Sequence, residues 1–322
     1  MVRGALSCTK AFVAGAMWIL IGEGKVDVSS QVVDHIPEFA TNGKDVITIE
    51  QVMLHTSGFP HAPLGPPAWD TREGRVATMA RWRVTWEPGT AYEYHPTSAH
   101  WVLAELIDRV SGVDYRDFID ARVTTPAGLP RVLGIASEDQ SDVAELEVRG
   151  EPATPEELEA VLGVRELPVG EVTDAALLAF SEPSARAVGV PGGGGVMRAA
   201  DLALLYQHVL HDDGRIWDPA VKTDALTNVR NTLPDRLSGV PANRTLGLIK
   251  GGGDGMATLR GFGKTTSPAT VGHNGAAGQI AWVDPVSGLS LGYCTNGIDA
   301  DVLRQARRSI AISSLAGACV PR

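Results

Sequence analysis

SCTKAFVAGAMWILIGEG, residues 7–24, sets a serine and a lysine three positions apart at the head of an apolar run. The run, Ala11 to Ile21, has no small-residue cleavage site after it and continues into Gly22-Glu23-Gly24-Lys25, so it is not read as a leader. Its eleven residues are too few to span a bilayer. A helix over 7–23 that is apolar nearly all round belongs inside a folded core, with Gly24 as its stop. The i, i+3 spacing puts Ser7 and Lys10 on one face of that helix. A helix N-terminus offers positive potential and free N–H groups near the serine. A lysine held there in a dry pocket can lose its proton near neutrality and serve as a base.

Composition bounds the remaining possibilities. The chain has 322 residues, 44% hydrophobic and 20% charged, as expected for one large domain or two closely packed lobes. Its formal charge is −10, from 28 basic and 38 acidic residues, and no basic stripe suggests a nucleic-acid partner. As written, the chain is expected to be cytoplasmic and not bound to a membrane; export stays open if a further N-terminal segment precedes it. Cys8, Cys294 and Cys319 form neither a disulfide framework nor a zinc-ligand spacing, and they read as reduced thiols.

Outward from the first helix, Thr48-Ile49-Glu50-Gln51 is a capping box for a short helix ending before Gly58, followed by a Pro-rich loop from Pro60 to Pro67. Thr97 is expected to cap a helix to about Arg109, with Gly112 as terminator. Residues 138–171 read as an acidic surface insertion holding a second capping box, Thr154-Pro155-Glu156-Glu157. A helix is expected over Asp201–Leu210, closed by Gly214. Strands Gln279–Val283 and Leu289–Cys294 flank the turn formers 284–288, and a last helix spans about Ala300–Leu315. This order fits an α+β fold in which a helical lobe, about 29–189, is inserted between the parts of an α/β lobe, about 1–28 and 190–322.

Four segments in order, 7–39, 47–60, 86–112 and 272–297, resemble the serine β-lactamase family, in particular its class C and family VIII esterase branch. The resemblance implies an antiparallel sheet flanked by helices, plus a mostly helical lobe. It makes Ser7 the nucleophile and Lys10 its partner. Tyr94, after Pro88-Gly89, then matches the tyrosine of the second motif, with Tyr92 as rival. A tyrosine of lowered pKa beside a lysine can accept the serine proton and return it to the leaving group. His273-Asn274-Gly275 matches the third motif, where Gly275 leaves room for substrate along a strand. The backbone N–H groups of Ser7 and Ala276 would form the oxyanion hole, with Gly275 and Asn274 at the substrate.

The sequence departs from the family in two places. Pro96 stands where the family commonly has asparagine, removing a side-chain amide that would hold a substrate amide and leaving esters less affected; His95 is the neighbour that would compensate. Only six residues precede Ser7, where the family has several dozen, including sheet strands. Either the start is truncated or the sheet has an uncovered edge, which a second copy of the chain fills or which leaves the protein poorly active.

Other chemistries lack support. No His-Glu-x-x-His occurs. His208 and His211, beside Asp212 and Asp213, read as a solvated helix end. The glycine runs 192–195 and 251–253 lack the Lys-Ser/Thr of a phosphate loop. His55-Thr56-Ser57-Gly58 reads as a structural helix stop. The expected activity is acyl transfer to water from a small ester or amide, without metal or organic cofactor. Specificity is expected in loops 59–70 and 183–195. A catalytically silent scaffold of the same fold is the alternative.

Overall fold

The computed structural model describes residues 2–166, 172–236 and 238–320. The chain opens with strand β1 (Val2–Gly4) and a single 3-10 turn, Leu6–Thr9, before helix α1 (Lys10–Gly22). The expected helix over 7–23 therefore has a tighter first turn, entered through Leu6 at φ 46°. Every residue of α1 from Lys10 to Leu20 is buried, as its all-round apolar pattern requires. Its two tryptophan contacts anchor distant segments. The Trp18 indole N–H donates to the Leu246 carbonyl at 2.8 Å, and that of Trp217 donates to the Gly15 carbonyl at 2.9 Å. The two indoles meet edge to face at 5.9 Å.

Helices α2 (Ile49–Met53), α3 (Arg72–Arg81), α4 (Ser98–Ser111) and α5 (Tyr115–Ile119) follow. The Thr48 capping box forms as expected, and Gly112 ends α4 in the left-handed region. Next come β2 (Val143–Ala144), β3 (Glu147–Arg149) and α6 (Pro155–Leu162), the last opened by the Thr154–Glu157 box. The acidic stretch is thus more than a solvated insertion: β2 pairs with β1, and β3 pairs with a strand near the C-terminus. Its last residues, 167–171, lie outside the described residues. Helices α7 (Asp174–Ala179) and α8 (Pro183–Val188), strand β4 (Val196–Met197), and helices α9 (Ala199–His211) and α10 (Pro219–Thr227) complete the middle of the chain.

The last third supplies the largest sheet, antiparallel, in the order β5 (Ile249–Lys250), β6 (Val271–Gly272), β7 (Ile280–Asp284), β8 (Leu289–Tyr293). The β7–β8 hairpin is the one expected from sequence, within one residue at its ends. Strand alternation then decides the layers. Ala281 and Val283 join the main core with Leu202 and Leu205 of α9, while Ile280 and Trp282 face the final helix α11 (Val302–Gly317). The Trp282 indole N–H donates to Ser313 Oγ of α11 at 3.2 Å. Strand β9 (Gly297–Asp299) pairs with β3. Among the described residues no strand pairs with the outer edge of β8. No helix among them is long and apolar enough to cross a membrane.

Trp282 is fully buried and is the largest β7 side chain at the sheet–α11 interface, beside Ile280. Trp282→Ala is expected to lower unfolding stability by about 3–5 kcal/mol, read from urea midpoints. A loss below about 1 kcal/mol would mean that α11 contributes little to the folded unit.

Candidate active site

The site is built around Lys10, the first residue of α1, whose side chain is wholly buried. Its Nζ donates to the Pro96 carbonyl at 2.7 Å and the Gly192 carbonyl at 2.6 Å, and lies 3.4 Å from Ser7 Oγ. Gly192 is required for that approach: a Cβ there would sit 2.9 Å from the Pro96 oxygen and 3.3 Å from Nζ. No carboxylate forms an ion pair with Lys10 among the described residues. Burial, and then the positive charge of Arg244, hold its pKa well below the ordinary lysine value.

A neutral amine has two N–H bonds and one lone pair. The two carbonyls, which only accept, take both hydrogens, so the lone pair is left for the Ser7 side. Ser7 is partly exposed and shares a cavity of about 300 Å³ with Ala276. The other walls are mostly apolar, with Leu6, Leu64, Val172, Leu177 and Phe180 among them.

The Tyr94 ring is 5.1 Å from Lys10 Nζ and its hydroxyl is covered, without a well-formed hydrogen bond. Burial pushes the Tyr94 phenol above its ordinary value, with the Ser7 hydroxyl and the Arg244 charge pulling part of the way back. The lowered tyrosine pKa expected from the resemblance is therefore corrected: at neutral pH Tyr94 is a proton donor. Tyr92, the rival, is committed elsewhere, its hydroxyl accepting from Arg244 Nε at 2.9 Å.

His273 follows β6 and is also buried, with its ring 5.8 Å from that of Tyr94. Nδ1 is 2.9 Å from the Asn274 carbonyl, which can only accept, so the proton sits on Nδ1 and Nε2 carries a lone pair. That Nε2 is buried and without a partner. Burial first, then Arg244 and Lys10, hold His273 well below its ordinary pKa, so it is neutral. The Tyr94 hydroxyl and His273 Nε2 are thus a buried donor and a buried acceptor, neither with a well-formed hydrogen bond, on rings 5.8 Å apart.

Two neighbouring polar residues do not serve the site. Asn274 donates to the Gly261 carbonyl and accepts from the Ala281 N–H at 3.1 Å, so its amide holds the sheet and not substrate. His95 accepts from the Phe59 N–H at 3.2 Å, lies 3.1 Å from Ser57 Oγ, and donates from Nδ1 to the Glu93 carbonyl at 2.7 Å. It fixes the turn after α2 and cannot replace the missing asparagine. Gly275 allows the chain to pass close to the segment before Ser7; a Cβ would lie 2.7 Å from the Ala5 oxygen. His55, φ 58°, backs the Tyr94 ring at 5.0 Å.

Sequence reasoning missed Arg244, the carbonyls of Pro96 and Gly192, and the wall contributed by α7. Among the described residues no group of three or more His, Cys, Asp or Glu side chains could hold a metal ion.

The chain belongs to the beta-lactamase family, which it matches over residues 4–313. The protein named esterase/beta-lactamase LipL, from Mycobacterium tuberculosis, is 26% identical over 90% of this chain and 68% of its own length. The chain spans about two thirds of the length of the curated relatives it matches. Its fold is similar to that of a family VIII carboxylesterase, with a TM-score of 0.75 at 22% identity, covering 97% of this chain and 84% of that one. A penicillin-binding protein homologue from Caulobacter crescentus has a TM-score of 0.74 at 24% identity, covering 96% and 82%.

Four imidazoles, His55, His95, His100 and His273, are buried with pKa values depressed mainly by burial, that of His95 to about 3. The unfolded chain takes up these protons near the ordinary histidine value of 6.5 and the folded chain does not. Protonation therefore favours unfolding. Stability present above that value should fall as pH drops from 7 to 5, by up to about 1.4 kcal/mol per pH unit per histidine. Urea midpoints at the two pH values check this, and His95→Gln should reduce the slope.

Proposed function

We propose that the chain is a serine hydrolase that forms an acyl-enzyme on Ser7 and acts chiefly as a carboxylesterase, with weak turnover of β-lactams or D-amino peptides. The observation that carries the reading is the placement of the buried Lys10 amine, held by the Pro96 and Gly192 carbonyls 3.4 Å from Ser7 Oγ, where burial lowers its pKa. In acylation Ser7 Oγ attacks the ester carbonyl carbon as its proton passes to Lys10 Nζ. The carbonyl oxygen becomes an oxyanion facing the backbone N–H groups of Ser7 and Ala276. As the C–O bond breaks, the leaving alkoxide takes the Tyr94 proton, and Tyr94 regains one from the Lys10 ammonium. Water then attacks the acyl-enzyme with Lys10 again accepting the proton, which returns to Ser7 as the acid leaves.

Ester preference rests on position 96 and the cavity. The Pro96 carbonyl is bonded to Lys10, no side-chain amide stands there, and His95 is turned to Phe59 and Glu93. A substrate amide therefore loses a partner that an ester never needed. The apolar cavity beside Ser7 suits an unbranched acyl chain better than a charged peptide.

Treatment with a fluorophosphonate is expected to add one adduct by intact mass to the wild-type protein and none to Ser7→Ala. An unlabelled wild type would instead indicate a silent scaffold. A short-chain p-nitrophenyl ester should be turned over with a larger kcat/KM than a chromogenic cephalosporin. Lys10→Ala should lower ester kcat by about 10²–10⁴-fold.

A further inference from the structure

Arg244 is a buried cation near the site that the proposed mechanism does not use. It is 1% exposed. Its backbone is held on both sides, donating to the Asn231 carbonyl at 3.0 Å and accepting from the Arg230 and Asn231 N–H groups. The guanidinium carbon lies 5.6 Å from the Tyr92 ring centre and 5.3 Å from that of Tyr94. Nε donates to the Tyr92 hydroxyl, and Nη1 is buried without a partner. Other arginines hold carboxylates, as Arg72 holds Glu105, Arg230 holds Glu50 and Asp224, and Arg260 holds Asp254, while buried Arg186 bonds to Gln140 and Ser181. Arg244 forms no ion pair with a carboxylate among the described residues.

An unpaired buried guanidinium is costly, and a chain with 38 acidic residues has no shortage of partners to offer it. Among the described residues, the titratable side chains on which its charge acts are lysine, histidine and tyrosine. Lys10 comes from α1, His55 from the turn after α2, Tyr92, Tyr94 and His95 from the segment before α4, His100 from α4, and His273 from the end of β6. The nearby acid, Glu93, is paired with His61 and Arg236. Arginine does not give up its proton in a protein, whereas lysine does so when desolvated beside another cation. Two cations with no carboxylate paired to either among the described residues thus resolve in one direction: arginine keeps its charge and lysine yields.

We propose that Arg244 is a positioning residue of this site, its guanidinium lying over the Tyr92 and Tyr94 rings to keep Lys10 unprotonated and to favour loss of the Tyr94 proton. The assignment rests on the proposed roles of Lys10 and Tyr94. Both effects have the sign the reaction needs. A fixed positive charge raises the cost of a second cation on Lys10, which must start as a base. Over the face of Tyr94 it lowers the cost of phenolate character as the proton moves to the leaving group.

The test compares wild type with Arg244→Gln, which keeps a donor for Tyr92, and Arg244→Lys, which keeps a cationic side chain. Arg244→Met, apolar and of similar length, serves if the glutamine variant does not fold. The first readout needs no turnover: the 13Cε resonance of Lys10 in selectively labelled protein, followed against pH. Loss of the arginine should move the Lys10 titration up by about one pH unit or more, with the lysine variant closer to wild type. The second readout is the acidic limb of kcat/KM for a p-nitrophenyl ester, expected to move the same way with activity regained at high pH. A Lys10 titration unchanged in the folded variants would overturn the proposal. So would a lowered activity plateau with the limb left in place, which is the signature of a packing role. Absence of the Ser7 fluorophosphonate adduct in wild type would sink the hydrolase reading alone, because the resonance reports on Lys10 either way.

Discussion

The buried amine of Lys10 is the constraint from which the site follows. A charged ammonium in that position would carry a desolvation cost of several kcal/mol with no carboxylate to offset it. The fold answers by lowering the pKa of the amine and giving it carbonyl acceptors from remote parts of the chain. Pro96 is 86 residues away and Gly192 is 182 residues away. The entry to α4 and the glycine segment before β4 must therefore both be in place before Lys10 is satisfied. The site is a property of the completed tertiary structure and is absent from any one of its elements.

Local features were legible in the sequence because their physics is local. The capping boxes at Thr48 and Thr154, the β7–β8 hairpin and the burial of α1 each depend on residues within a few positions of one another. The pairing of Ser7 with Lys10 falls in the same class, being one helical turn. Tyr94 and His273 needed the family resemblance, and the structure brings both beside Lys10 and each other. The carbonyls of Pro96 and Gly192 were invisible for a different reason: every residue carries a carbonyl, so nothing in the letters marks the two that matter. Arg244 sits in Asn243-Arg244-Thr245, in no motif, and is distinguished by the absence of a carboxylate around it. Asn274 and His95 were misread because a polar side chain near a motif looks available until its hydrogen bonds are counted.

Backbone strain sits on both sides of the cavity. Leu6, immediately before Ser7, has φ 46°, and Ala277, immediately after Ala276, has φ 56°. Neither residue is a glycine, and each such conformation costs about 1–3 kcal/mol unless its surroundings impose it. Both are buried in one small cluster with Leu146, Leu177 and Ile298. That cluster joins the segment carrying Ser7, the third-motif turn, α7 and β9 in a single contact. It is a means of holding the peptide groups at 7 and 276 against the relaxation their torsions would otherwise undergo.

The same economy of charge extends to the reaction. The chain carries a formal charge of −10, yet the Tyr94 ring lies beneath the Arg244 guanidinium and next to an amine and an imidazole whose pKa values burial lowers. On the proposed mechanism, acyl transfer converts a neutral ester carbonyl into an oxyanion as Lys10 takes up the Ser7 proton. In a dry pocket, a fixed positive charge acts over a longer range than it would in water and needs no reorganisation when the oxyanion forms. A carboxylate paired with Arg244 would cancel that field and raise the proton affinity of Lys10 in one step. The unpaired guanidinium, costly for folding, is on the proposed reading the feature that makes the site electrostatically asymmetric in favour of the anionic transition state.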